Sequence, residues 1–478
     1  MGRDIPCCEF SEDDFKEFKR RLREENVLLA DWFKNGLFDT GEEMCGFELE
    51  MWLVDKNYHP SPINEEFLNS LSNHLVVPEL SKFNFEINST PHRLEGSLLS
   101  NMERELGQVW KKCAAHAEKF QSNILAIGIL PTVRDEMLTI EQMSSLKRYA
   151  ALNRQILRLR GEKPLEIHIE GNDSLYVQHR DVMVEAVATS LQIHIQVNPS
   201  DAVRYYNLSQ TLSAPLVAVA ANSPYLFEKD LWDETRIPTF EQSVSVASFR
   251  DSQGEIVGRV TFGTGYARQS MIEPFLENLD GYPILLPLVF EEESTLLSHL
   301  RLHNGTIWRW NRPLIGFGKN LRPHIRIEHR VAAAGPSIPD TIANIGFYLG
   351  LVHYFAAQKV SLDKRIPFRD AKANFYRAAK HGLNATVKWV DGKETPLQAL
   401  IENSLLPAAK EGLRMAGCRE EDVSFYIGDI IEQRVRTGKN GAAWQRSYIR
   451  KHGPDFKAMT HHYFENQNKN LPVHEWTV

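Results

Sequence analysis

No stretch of this sequence is apolar for long enough to cross a membrane. The longest apolar runs, 214–221 and 284–290, fall far short of the ~20 residues a bilayer requires. Positive charge is not in excess either. The 55 lysines and arginines stand against 62 aspartates and glutamates, a net of −7, so no cationic field draws the chain to nucleic acid. Cysteine is scarce and unpatterned. Cys7, Cys8, Cys45, Cys113 and Cys418 are five in number and follow no zinc-ligand spacing. Their adjacent pair is a poor disulfide, and a reducing cytoplasm is the simplest setting. The first eight residues have no apolar core of a secretory signal and no serine or threonine at position 6 for myristoylation. Glycine-rich tags are limited to Gly263-Thr-Gly265 and Gly316-Phe-Gly-Lys319, which match neither the Walker nor the Rossmann spacing and read as turns. Fixed-period repeats and low-complexity tracts are also missing.

What remains is the composition of a soluble globular protein, with 42% apolar and 24% charged residues. At 478 residues two or three folding units are expected, and one large catalytic unit with appended helices is equally allowed. Ser11 followed by Glu12, Asp13 and Asp14 marks a helix start. Phe15, Phe18, Leu22, Leu29 and Trp32 then share a face, and Gly36 and Gly41 end the helix. Gly46-Phe-Glu-Leu-Glu-Met-Trp-Leu-Val54 alternates polar and apolar residues as a strand does. So does Lys82-Phe-Asn-Phe-Glu-Ile-Asn88. Leu99, Met102, Leu106, Val109, Cys113, Ala117 and Phe120 trace a long amphipathic helix. A buried strand is expected over 124–130, and further strands over 165–170, 191–197 and 322–330. Beyond about Gly335 the pattern is helical. The expected fold class is α+β, with an antiparallel sheet wet on one face and a helical C-terminal third. The expected divisions are an N-terminal helix over 1–40, a catalytic sheet domain over 41–335 and a helical region over 336–478.

Four of these strands carry polar groups at two-residue spacing, which places each set on one strand face. The sets are Glu48 and Glu50; Glu86; Gln192, His194 and Gln196; and Arg326, Glu328 and Arg330. A single pair of strand acids normally marks a solvated face. Four strands repeating the pattern with carboxylates, amides and arginines instead suit a site for magnesium and phosphate, since hard cations prefer oxygen ligands and arginine matches phosphoryl oxygens. Other polar features read more plainly. Cys45 is expected to be a small buried packing residue, and Trp308 and Trp310 to form core or cavity wall. His168 and Glu170 should lie on a polar strand face, and His461 and His462 at the surface.

Gly46-Phe-Glu-Leu-Glu50, Phe85-Glu-Ile-Asn-Ser-Thr-Pro91, Lys147-Arg-Tyr-Ala-Ala-Leu-Asn153, Ala220-Ala-Asn-Ser-Pro-Tyr225 and Ile325-Arg-Ile-Glu-His-Arg330 occur in that order. Together they resemble the glutamate–cysteine ligase family, above all its bacterial carboxylate–amine ligase branch. The resemblance implies an antiparallel half-funnel sheet of the glutamine synthetase catalytic type, flanked by helices. It further implies that Glu48, Glu50, Glu86 and Glu328 hold magnesium, with Glu95 and Gln192 as additional ligand candidates. By the same resemblance Gln192, His194 and Arg330 meet ATP, and Arg330 and Glu328 are catalytic. Arg148 and Arg236 belong with the amino-acid substrate. The implied reaction phosphorylates an amino-acid carboxylate, the glutamate γ-carboxylate in the family, and an amine such as cysteine then forms the amide. Other substrates on the same chemistry, a guanidino kinase on a related fold, and a non-catalytic ATP-binding relative are the alternatives. The last of these conflicts with the presence of Glu48, Glu50, Glu86, Glu328 and Arg330 together, since a decayed site should have lost at least one. Partners are expected to be ATP and amino acids, with neither nucleic acid nor membrane, and a homo-oligomer is allowed.

Overall fold

The computed structural model describes residues 4–5, 8–41, 43–246, 249–251, 254–318 and 320–478. Cys7 and Lys319 therefore lie outside the described residues. The chain opens with helix α1 (Glu12–Asn35), and its ends are those the sequence marks. The Ser11 side chain accepts the Asp14 N–H while Asp14 bonds back to the Ser11 backbone, and Gly36 closes the helix at a φ of 66°. Phe18, Leu22, Leu29 and Trp32 are its buried stripe.

The centre of the molecule is an eight-stranded sheet. Its strands are β1 (Met44–Val54), β2 (Val76–Pro78), β3 (Asn84–Asn88), β4 (His92–Arg93), β5 (Asn123–Leu125), β6 (Ser190–Val197), β7 (Asn311–Phe317) and β8 (Pro323–Ala333). The order across the sheet is β7-β8-β6-β1-β3-β2, with β4 and β5 pairing the two ends of β1. All of these pairings are antiparallel. Because β1 changes partners along its length, the sheet curls rather than lying flat.

One face of the sheet is apolar and buried under helices. Its main helices are α2 (Leu98–Ala117), α3 (Lys147–Leu159), α4 (Ala202–Thr211), α5 (Ser213–Ala220), α6 (Arg236–Ser243), α7 (Ile338–Ala356) and α8 (Phe368–His381); α4 packs on β7 and β8, α5 on β8, α2 on β5, and α7 lies against α2, α4 and α5. Phe47, Leu49, Met51, Ile193, Ile195, Ile325 and Ile327 are buried. Side chains alternate along a strand, so these residues leave the acids and arginines between them to the other face. His329 stacks on Tyr348 of α7 at 4.2 Å, and Asn311 donates to Ser213 of α5 at 3.0 Å. Among the described residues no helix is long and apolar enough to cross a membrane.

Two sequence expectations are corrected. The strand expected over 124–130 stops at Leu125. Residues 126–130 remain buried, but their backbone groups are taken by side chains instead of a ladder. Ala126 O accepts from Tyr463 (3.0 Å) and Gln467 (2.8 Å) of the helix Phe456–Asn468, and Thr189 bonds the carbonyls of Ile127 and Gly128. The helical C-terminal region thus reaches back to the sheet. Gly316 is also not in a turn. It lies in β7 opposite His324, where an added Cβ would fall 2.4 Å from the imidazole.

Candidate active site

The register explains how residues distant in sequence meet. Glu48 stands opposite Asn88 and Gln192, Glu50 opposite Glu86, His194 opposite Glu328, and Glu328 opposite Arg312. Cross-strand partners share a face, so these side chains converge in the hollow of the curl. Gly46 faces His194, and an added Cβ there would lie 2.9 Å from Ser89 Oγ, displacing the hydroxyl that accepts the Phe47 N–H at 2.8 Å.

Two adjoining groups of ligand atoms result, each within 4.8 Å of one another: Glu48, His194 and Glu328 in the first, and Glu50, Glu79 and Glu86 in the second. In the first, His194 Nε2 lies 3.2 Å from Glu48 Oε1 and 3.9 Å from Glu328 Oε1. Arg312 holds Glu328 with two bonds of 2.8 and 2.9 Å, and Arg330 stands 3.3 Å away. In the second, Glu50 accepts from the Ser190 N–H (2.6 Å) and from Gln192 (2.8 Å), while Asn88 donates to Glu86 at 2.9 Å.

Charge is distributed unevenly across the hollow. Burial opposes ionisation of Glu328, yet the charges of Arg312, Arg330 and His194 hold its carboxyl down at about 2. Glu48 behaves likewise: burial resists its charge, and the His194 ring outweighs that to leave the carboxyl below its ordinary range. On the β3 side no arginine offsets burial so fully. Burial and the neighbouring Glu79 push Glu50 up to about 7, and burial with the Glu48 and Glu79 charges raises Glu86 well above the carboxylate range. Glu79 is raised by burial, with Arg148 pulling against it. Removing a carboxylate from water costs several kcal/mol per ion, roughly, unless its lone pairs are satisfied. Here Glu48 Oε2, Glu79 Oε1 and Glu86 Oε2 are buried without a hydrogen-bond partner, and His194 Nε2 meets Glu48 and Glu328 as ion pairs. Orphaned hard donors crowded this closely fit one or more divalent cations of the magnesium type.

Of the residues singled out from sequence, Glu48, Glu50, Glu86, Gln192, His194, Glu328 and Arg330 are brought together. Arg148 reaches the edge of the second group through its charge on Glu79 and donates to Tyr149 OH at 2.7 Å. Three roles change. Gln192 is fully buried and spans the site, its amide nitrogen on Glu50 and its oxygen accepting from Arg330. Its oxygen is thereby engaged by Arg330. His194, assigned by resemblance to the nucleotide, is a member of the first donor group. Glu95 is exposed beyond the end of β4, its nearest ion partner being Arg93 at 3.8 Å, and it joins neither group. Arg236, expected at the substrate, is buried behind β8. It donates to Val331 O at 2.6 Å and Arg330 O at 3.5 Å, and pairs with Glu234 at 3.3 Å.

Sequence reasoning missed Glu79, Arg312 and Glu185. Glu79 follows the short β2, outside any alternating run. Arg312 precedes Pro313, and proline within a run argues against a strand. The structure tolerates it because β7 is the sheet edge. Glu185 sits in the turn Met183–Val187, where burial and the Glu79 and Glu50 charges push its carboxyl up to about 8.

A family model described as glutamate–cysteine ligase family 2 matches residues 44–465. Among solved structures, the glutamate–cysteine ligase of Francisella tularensis in complex with AMP superposes with a TM-score of 0.53 at 12% identity, covering 90% of this chain and 89% of that one. A bifunctional glutathione synthetase from Pasteurella multocida superposes with a TM-score of 0.51 at 11% identity, covering 93% of this chain and 55% of that one. At these identities the likeness is one of fold. No curated protein matches the chain in sequence.

Proposed function

We propose, from the premise that the chain belongs to glutamate–cysteine ligase family 2, that it is an ATP-dependent ligase joining an amino-acid carboxylate to an amine through an acyl phosphate. The glutamate γ-carboxylate and cysteine are the proposed pair, with glutathione biosynthesis in the cytoplasm as the setting. The observation that carries this reading is the set of orphaned carboxylate oxygens in the hollow, flanked by Arg312 and Arg330.

Glu48, His194 and Glu328 would hold one magnesium ion, and Glu50, Glu79 and Glu86 another. Magnesium bound there would screen phosphate charge and favour phosphoryl transfer. The chain's own part is positional and electrostatic. Arg330, kept cationic by Glu328, Glu50 and Glu48 against its burial, lies where it can meet the transferring phosphoryl oxygens. Its planar fork suits them. Gln192 fixes Arg330 relative to Glu50, so the arginine is oriented before substrate arrives. No covalent nucleophile is needed. Cys45 is buried, with its Sγ 3.7 Å from His92 O, and burial raises its thiol further out of reach of ionisation.

The test is release of ADP and phosphate from ATP and magnesium across a panel of acids and amines. Product formation that requires both an acid and an amine is expected, and it should vanish in Glu328→Gln. ADP formed with a guanidino compound alone would replace the reading with a kinase.

A further inference from the structure

On the helix-covered side of the sheet edge lies a cleft of about 350 Å³. Its floor is made of buried residues: Tyr206 of α4 is 3% exposed and Arg309 is 2% exposed, and both line the cleft. It is not the catalytic hollow. Helix α4 packs on β7 and β8. Side chains alternate along an extended chain, so Arg309 shares the side of Asn311, which bonds Ser213 of α5. Arg312, between these alternations, grips Glu328 in the hollow.

The polar atoms of this floor are only partly used. Arg309 commits Nη2 to Glu277 at 2.7 Å and to Asn278 at 2.8 Å. Its Nη1 has no partner among the described residues and lies close to Gly263, whose added Cβ would fall 3.7 Å away. The Tyr206 hydroxyl is likewise without a partner among them. Burial pushes that phenol up to about 12, so at neutral pH it keeps a proton to donate. The glycine-bearing loop 263–266 forms a wall. Thr261 Oγ1 takes the Gly263 N–H at 3.0 Å, and Asn207 Oδ1 takes the Ala267 N–H at 2.9 Å. Between them, the N–H groups of Thr264, Gly265 and Tyr266 find no acceptor among the described residues.

The nearby acids have their oxygens engaged. Glu273 accepts the N–H groups of Arg268, Gln269 and Ser270, Glu277 accepts from Arg309 and Thr264, and Asp251 accepts the Glu255 N–H. Arg250 and Arg268 add positive charge at the exposed rim. Buried donors without acceptors are costly unless a ligand or water meets them. Successive free N–H groups beside an arginine suit an oxyanion.

We propose that this cleft is a second ligand site, separate from the catalytic hollow, for a small molecule bearing a phosphate or carboxylate on a flat apolar body. The oxyanion meets Arg309 Nη1, the Tyr206 hydroxyl and the loop N–H groups. Phe249 and Pro274, which also line the cleft, receive the apolar body. The site does not depend on the ligase reading.

Calorimetric titration of the whole protein, without magnesium or nucleotide, tests this. Phenyl phosphate and benzoate are the probes, and phenol is the control that lacks an oxyanion. At least one anion should bind saturably at millimolar concentration, and phenol should not. The stronger of the two anions identifies the oxyanion the site is made for. Tyr206→Phe removes only the unpartnered hydroxyl, so the melting temperature should hold while affinity falls about threefold or more. Arg309→Lys should lose roughly tenfold or more, and Arg330→Lys, in the hollow, should change nothing. The site is overturned if neither anion binds, if phenol binds as well, if affinity is unchanged in Tyr206→Phe, or if it is lost in Arg330→Lys.

Discussion

Arg312 grips Glu328 with both arms of its guanidinium, Nε on Oε2 at 2.8 Å and Nη2 on Oε1 at 2.9 Å. Both residues are buried, and Glu328 still has His194 3.9 Å away on its open side. The glutamate is therefore anchored from the sheet edge and presented to the hollow as an anion. Removing the anchor and removing the anion should have different consequences. Arg312→Ala strands a buried charge and should cost about 3–5 kcal/mol in a denaturant melt. Glu328→Gln should cost less stability and abolish turnover. A variant Glu328→Gln that still turns over would sink the assignment of Glu328 to the metal.

Glu79 and Glu95 are both acids near the second donor group in sequence, but only Glu79 is placed in it. Glu79→Gln should raise the magnesium concentration for half-maximal activity by roughly 10–100-fold, the scale on which groups that tune metal sites act. Glu95→Gln should leave the magnesium curve in place and stability within about 0.5 kcal/mol, as surface changes do. The reverse ranking in magnesium titrations would restore Glu95 to the site.

Arg236 holds the backbone carbonyls of Val331 and Arg330. Arg236→Lys should lower kcat by up to about 100-fold, because small displacements of a catalytic group cost that much. The KM for the amino acid should hardly change. A selective rise in that KM, with kcat intact, would show a substrate contact.

The stability of the protein should fall with rising pH through Glu241 of α6, whose carboxylate accepts from Trp310 at 2.9 Å and Tyr376 at 2.7 Å. Its folded carboxyl stands near 7, above the ordinary 4.5, so the folded state holds this proton more tightly than the unfolded chain does. Stability from this group is complete below about 4.5 and is lost as pH rises toward 7. Glu241→Gln should therefore melt higher than wild type at pH 8 and no higher at pH 4. Parallel melting curves across that range would contradict the placement.

Much of the site is legible in the sequence alone. A strand has period two, so Glu48 and Glu50, or Glu328 and Arg330, declare a shared face as soon as the alternation is seen. Helix α1 was legible for a similar reason, since Ser11, Asp14 and Gly36 act within a few residues of themselves. These are local properties, fixed by dihedral geometry and short-range hydrogen bonds.

The rest depended on which strands became neighbours. His194 joins Glu48 and Glu328 only because β6 lies between β1 and β8. Glu79 completes its group from a loop with no periodicity. Arg312 hides behind a proline that only an edge strand tolerates, and the expected strand over 124–130 yields to side chains more than three hundred residues away in sequence. The sequence by itself determined the antiparallel α+β character and the polar faces of the strands, because alternation and capping are encoded within single turns. Tertiary structure alone decided which of those faces meet, since register and curl come from long-range packing. It also decided which acid is a ligand and which arginine is a brace, because burial and partner charges exist only after the chain has closed.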